Sequence, residues 1–327
     1  MSALSASSAP RTSPASARAP ERRVAARDGR RGASLLSLAG WQLTLIRRRP
    51  AAKVLLGLLL GGYAALVGVA VFLYVTSTGD AADDIGGPLL ARLTFPVSIS
   101  AAGDYTDFMG VILLSILAGT FIGNEYTYGT RRVAVMRGVG RGWALAAQVL
   151  ALAIAALVIA AGMLLLGTLV GLTLGPLLGG HPAPVPPLGW AWAQLPAYAG
   201  AVALRLFLYS LIALFFATLG RSASAGTAGA LGVLIVERVA LPVFTFVAFL
   251  TLPGGGNGVR FITPQVNADA VEAAARHGPL VLTGPPLQFE IVLAAPALVQ
   301  ALATLLLYCA ALVGLSWLLV ARRDVIE

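Results

Sequence analysis

From residue 54 onward the chain alternates between long apolar runs and short polar breaks. The runs cover roughly 54–76, 106–123, 144–171, 196–219, 225–250 and 293–320. A helix needs about 20 apolar residues to cross the hydrocarbon of a bilayer. Five runs reach that length; the second has eighteen residues and begins with Thr106 and Asp107. The pattern predicts an all-α integral membrane protein with six transmembrane helices. Gly162, Gly167 and Gly171 in the third run predict close helix contact. Pro242 predicts a kink in the fifth.

Two different segments precede the first run. In 33–49, Leu35, Leu36, Leu38, Trp41, Leu43 and Leu45 form an apolar stripe, and three arginines, Arg47, Arg48 and Arg49, close it. At that length it predicts a helix lying in the membrane interface rather than across it. Residues 1–32 are Ala, Ser, Pro and Arg without apolar periodicity. Such a composition buries too little surface to offset ordering entropy, so a disordered basic cytoplasmic arm is expected. It shows no short apolar core of a secretory signal, although it shares the Arg- and Ser-rich, acid-poor character of transit peptides. The expected organisation is an arm over 1–32 and a six-span domain over 33–327.

Composition agrees with the pattern. Hydrophobic residues make up 58% of the chain and charged residues 11%, against about 25% charged in a soluble domain. The mean hydropathy is +0.84. The charge distribution then sets orientation by the positive-inside rule. With the N-terminus in the cytoplasm, eleven Lys and Arg lie in the arm through Lys53 and four in 123–141. Arg221 lies in the next inner link, and Arg322 and Arg323 in the tail. The outer loops carry only Arg92, Arg260 and Arg276. Both termini are therefore expected in the cytoplasm. The net charge of +9 reads as membrane anchoring, without the aromatic-basic pattern of a nucleic-acid surface.

Several chemistries are not legible. Cys309 is the single cysteine, so no internal disulfide is available. His181 and His277 are far apart and flanked by loop residues, which argues against a metal site. Lys53, the only lysine, is followed by Val54 and not by the Ser or Thr of a phosphate-binding loop. No Ser-His-Asp set or paired-carboxylate site stands out. The chain is expected to be no enzyme and to bind no cofactor of its own.

The break from Gly123 to Arg141 reads GNEYTYGTRRVAVMRGVGR. If helical, it places Arg137 and Arg141 on one face and Val135, Met136 and Val139 on another. Two readings suit it: a short amphipathic helix at headgroup level, or a solvated loop whose arginines set topology. The segment resembles a motif of the permease subunits of ABC transporters of the ABC-2 type. Those carry, after the second span, a Glu followed by Gly-Thr, an apolar stretch, and Pro-x-x-Arg before the third span. This chain has Glu125, Tyr126, Gly129 and Thr130, then VAVM, then Arg141. Six spans, an interfacial helix before the first, and the terminal Arg322, Arg323 and Asp324 extend the resemblance over about 33–327. It departs at Gly138, where the family has proline, and at Gln148, where a basic residue is common.

What the resemblance implies is a coupling segment built from Glu125, Tyr126, Gly129, Thr130, Arg131, Arg132, Val135, Met136, Arg137 and Arg141. Such permeases pair with a second permease copy and dock a soluble ATPase subunit that holds ATP and Mg. The implied function is export across a bacterial plasma membrane, with the lipid bilayer as surroundings and no nucleic acid as partner. A secondary transporter or channel working without ATP, and a membrane anchor or assembly protein, are the rival readings. Internal repeats with matched broken helices would favour the first rival, and none is visible.

Charges also fall inside the spans. Arg205 lies about nine residues into the fourth run, and Glu237 and Arg238 near the middle of the fifth. Charges at such depth are costly and are usually paired or in a cavity. The fourth and fifth runs are antiparallel neighbours, so an Arg205–Glu237 pair is one arrangement open to them; a substrate-pathway role is another. The last outer loop, 251–292, is expected to hold a short helix near Ala268–Arg276, with no chemistry assigned to it.

Overall fold

The computed structural model describes residues 34–77, 86–129, 140–179, 188–244, 247, 262–276 and 296–322. The chain divides into a unit of Met1–Ser34 and a unit of Leu35–Glu327. Expectations that fall on 1–33, and on 130–139 of the arginine-rich segment, lie outside the described residues.

Every element among the described residues is helical. In chain order these are α1 (Leu35–Arg48), α2 (Pro50–Thr76), α3 (Gly87–Leu93), α4 (Val97–Tyr105), a π turn (Thr106–Gly110) and α5 (Val111–Thr127). Then follow α6 (Arg141–Leu177), α7 (Leu188–Gly220), α8 (Ala223–Ile235), a second π turn (Val236–Ala240), α9 (Pro264–Ala275) and α10 (Leu298–Arg322). Six helical stretches are long and apolar enough to cross a membrane: Pro50–Thr76, Val97–Thr127, Gly142–Leu177, Gln194–Gly220, Ala223–Phe244 and Leu298–Arg322. The chain is an all-helical, multi-pass membrane protein.

The second and fourth spans form the centre. Of their apolar windows 67% and 72% is buried, against 17% for the first, fifth and sixth. Phe121, Ile122, Val202, Leu206, Leu211 and Leu214 pack there with almost no exposure. The peripheral spans turn Leu58, Phe72, Leu165, Leu307 and Trp317 outward. In water that would be far more apolar patch than a soluble monomer shows; against lipid tails it costs nothing.

The second span starts nine residues before the predicted run, at Val97 rather than 106. Ser98 and Ser100 interrupt the apolar pattern, yet both are fully buried. Glycines on the third span make room for Ser98. A Cβ on Gly167 would sit 2.6 Å from Ala102 Cβ and 2.8 Å from the Ser98 carbonyl, and one on Gly171 would collide with Ser98 Oγ. Two of the three expected glycine contacts therefore form; Gly162 has open space around it. The fifth span carries a π turn just before Pro242, where the missing N–H of proline leaves the helical register slack.

Spans two and five meet backbone to backbone. A Cβ on Gly119 would lie 2.7 Å from the Thr227 nitrogen and 2.9 Å from the Gly226 carbonyl carbon. Gly123 faces Ala223 as tightly. The turn that brings the fifth span there is capped by Ser222, whose Oγ accepts from the Ala225 N–H at 3.1 Å. Backbone atoms cannot rotate away from an added methyl. Gly119→Ala should therefore destabilise the fold by about 1–3 kcal/mol, while Gly61→Ala, with nothing within 4 Å, should be neutral or slightly stabilising. Unfolding in mixed detergent micelles measures both; equal stability of the two variants would contradict the contact.

Candidate functional site

The two sets of candidate residues sit at opposite ends of the second span. At its C-terminal end stand Glu125 and Tyr126 in the last turn of α5. Tyr128 N donates to the Asn124 carbonyl at 2.9 Å and Gly129 N to that of Tyr126 at 3.3 Å. Gly129 has φ +66, the left-handed geometry that ends helices and that residues with a Cβ adopt at a cost. The glycine of the motif is thus a helix stop. Thr130, Arg131, Arg132, Val135, Met136 and Arg137 lie outside the described residues, and Arg141 opens α6.

Across this gap the third span reaches back. Gln148 Nε2 donates to Glu125 Oε2 at 2.5 Å, and Gln148 is buried. Gln148, one of the two positions at which the resemblance departs, is therefore the partner of Glu125. An amide here fixes Glu125 by a hydrogen bond and ties the last turn of α5 to the early turns of α6. Helix α1 packs on α6 at the same end. It buries Ala39, Gln42 and Ile46 and leaves Leu36 and Trp41 exposed. Arg49, at the joint with α2, lies over the Phe121 ring, 4.8 Å from its centroid.

At the other end lies a cluster of buried charge. Arg205, only 3% exposed, pairs with three carboxylates. Its Nε lies 2.7 Å from Glu272 Oε1 and its Nη1 3.8 Å from Asp107 Oδ2. Its Nη2 donates to Asp269 Oδ1. Arg276 completes the cluster: Nη1 is 2.7 Å from Asp104 Oδ1, and Nη2 is 3.5 Å from both Asp107 Oδ2 and Glu272 Oε2. Its guanidinium also covers the Tyr198 ring at 4.9 Å. Tyr198 is fully buried, and Gly103 leaves it room, since a Cβ there would overlap the phenol.

Arg205 does not pair with Glu237, the arrangement that helix adjacency left open. Helix α9 supplies Asp269 and Glu272 to it instead. Glu237 accepts a hydrogen bond from Tyr209 Oη, one turn along the fourth span from Arg205. Arg238 turns to the second span, where its Nη2 donates to the Asp107 carbonyl at 3.4 Å. Both partners stand in π turns. A π turn frees a backbone carbonyl from its usual helical partner, and here a guanidinium from the facing π turn takes it. Arg238 also lies 6.0 Å from the Phe108 ring centroid.

None of Asp107, Asp269, Glu272, Arg276, Asp104 and Tyr198 is expected from the sequence as a site residue; Asp107 and Arg276 enter it only through span bounds and charge distribution. One signal was available: Asp269, Glu272 and Arg276 recur at three- and four-residue spacing on one face of α9. The helix itself runs over Pro264–Ala275, starting four residues before the expected one. Tyr308 of the sixth span donates to the Ile262 carbonyl at 3.0 Å and ties down its entry. Burial pushes the Glu272 carboxyl well above the usual carboxylate range, against the pull of Arg205.

No protein-family model matches the chain, and no curated protein matches it.

The cluster dictates which residues couple energetically. Arg205→Met leaves Glu272 and Asp107 short of a cation and should cost about 3–5 kcal/mol. In double-mutant cycles, Arg205→Met with Glu272→Gln should couple by about 0.5–3 kcal/mol, whereas Arg205→Met with Glu237→Gln should be close to additive. Chemical unfolding in micelles reads both cycles; the reverse ranking would refute the assignment.

Proposed function

We propose that the chain is the membrane-spanning permease subunit of an ATP-binding cassette exporter of the ABC-2 type, working as a pair of permeases with a separate soluble ATPase. The observation that carries this reading is the clamp between Glu125 and Gln148. It draws the end of the second span and the start of the third together around a basic, partly apolar segment of the right length and place for an ATPase-docking helix. The Gly129 helix stop makes structural sense of the motif's glycine. Exposed Leu36 and Trp41 on α1, beside Arg47, Arg48 and Arg49, suit a helix lying in the interface. On this reading the arginine-rich end is cytoplasmic, in a bacterial plasma membrane, and α9 lies on the outside.

A charged, partly apolar surface suits docking that must bind and yet rearrange. The ATPase would hold ATP and Mg, and closure of the ATPase would push on the 130–139 segment. The clamp passes that push to both spans at once. A second reading, transport without ATP, draws on the buried cluster around Arg205 and Glu272, since intramembrane charges often mark ion pathways.

Affinity purification from native membranes in mild detergent separates the two. A P-loop ATPase should accompany the parent chain. Met136→Asp keeps every arginine and leaves the Glu125–Gln148 clamp untouched, so it should reach the membrane but lose the ATPase. For topology, in a Cys309→Ala background, Thr78→Cys and Asn257→Cys should react with an impermeant thiol reagent on intact cells, and Thr127→Cys should not. Full ATPase association by Met136→Asp would reduce the segment to a topogenic loop.

A further inference from the structure

The ion pairs at the end opposite α1 leave a charge imbalance. Four carboxylates, Asp104, Asp107, Asp269 and Glu272, face two guanidinia, Arg205 and Arg276. Asp104 and Asp269 have 44% and 52% of their side chains exposed, so solvent stabilises their charge. Asp107 and Glu272 have 7% and 4%. These two buried carboxyls converge on the same nitrogen, Arg276 Nη2, at 3.5 Å each.

Asp107 is the less well compensated of the two. Its nearest paired cationic nitrogen is 3.5 Å away, where Glu272 has Arg205 Nε at 2.7 Å. Its Oδ1 is buried without a hydrogen-bond partner among the described residues; Glu272 Oε1 likewise has no hydrogen bond there, but it has the close ion pair. A bare, buried carboxylate oxygen is expensive, and its neighbourhood raises the cost of ionising Glu272. A proton placed on one carboxyl gives the orphan oxygen a donor and removes one negative charge.

We propose that Glu272 of α9, held beside Asp107 of the second span by Arg205 and Arg276, is a proton-binding site. The proton joins α9 to the second span, so its occupancy controls how firmly α9 is docked. The surrounding titratable groups are few. Arg205 and Tyr198 face the site from the fourth span, Asp104 from the second, and Asp269 and Arg276 from α9 itself. Tyr209 is engaged with Glu237, Arg238 with the Asp107 carbonyl, and Tyr308 with Ile262. Beyond Arg141 the third span carries no titratable side chain.

The sign follows from burial. The Glu272 carboxyl is raised in the docked state, so the docked state binds the proton more tightly than the undocked one. Docking is firm at low pH and loosens as pH rises through the raised pKa of Glu272.

The test uses the full chain alone in lipid nanodiscs and so does not depend on any ATPase. Infrared difference spectra across a pH titration, in water and deuterated water, report the carbonyl stretch of a protonated carboxylic acid. The parent should show such a band, titrating with a midpoint above the ordinary carboxylate range. Both Glu272→Gln and Asp107→Asn should lose it, because the remaining carboxyl then ionises against two arginines. Absence of the band in the parent, a midpoint in the ordinary range, or survival of the band in either variant overturns the site. For the coupling, a spin label at Ala273→Cys in the Cys309→Ala background should gain mobility as pH rises through the same midpoint. The Glu272→Gln variant should show no such change. A parent label indifferent to pH overturns the link to α9, and if the variants fail to fold, the parent titrations still decide.

Discussion

A guanidinium buried inside a helix bundle has to be met by carboxylates, and the fold around Arg205 is arranged to do that. A charge at this depth costs several kcal/mol when unpaired. The fourth span can offer no acid of its own, because Leu188–Gly220 contains neither Asp nor Glu. The partners must come from elsewhere. One is Asp107 on the second span, and two, Asp269 and Glu272, come from α9, a helix outside the six spans. The position of α9 is therefore set by the charge it must neutralise. Arg276 follows from the same logic, since gathering acids around one arginine requires a second cation.

The π turns belong to this arrangement. Thr106–Gly110 places Asp107 toward Arg205 and frees its carbonyl, and Val236–Ala240 brings Arg238 to that carbonyl. The same turn directs Glu237 at Tyr209. Two irregular turns, facing each other at one level of the bundle, re-aim three ionisable side chains that a regular helix would leave on other faces. Spans two and five can come this close because Gly119, Gly123 and Gly226 remove the side chains between them.

The six spans were legible in the sequence because lipid imposes a long, unbroken apolar pattern on anything that crosses it. Their ends were less so. Val97–Thr127 begins earlier than its apolar run, since Ser98, Ser100 and Asp104 look like loop residues when taken singly. Ser98 fits against Gly167 and Gly171 and Asp104 pairs with Arg276, and neither contact is visible in a local pattern. The intramembrane Arg205 was legible as a costly charge. Its partners were not, because sequence adjacency favours Glu237 and the true partners are 98 residues upstream and 64 and 67 residues downstream, a separation only the tertiary fold closes. Gln148 looked like a loss at a basic position; it is the hydrogen-bond partner of Glu125.

The second span carries both charged features, Asp107 near one end and Glu125 at the other. Between them α5 is regular, tightly packed and nearly free of polar side chains; Ser115 and Thr120 are the exceptions before Asn124. A close-packed helix transmits displacement along its axis more readily than it bends. Its slack lies at the π turn, which sits beside the charge cluster. Any movement of the Glu125 end must therefore either shift the span as a rigid rod against Gly226 and Thr227, or be taken up at Thr106–Gly110. The first breaks glycine-mediated backbone contacts. The second strains the pairing of Asp107 with Arg205 and Arg276 and the hydrogen bond from Arg238 to its carbonyl. The long, loose ion pairs of Asp107, at 3.5 and 3.8 Å, yield more easily than close backbone packing, and that contrast makes the π turn the mechanically soft point of the bundle.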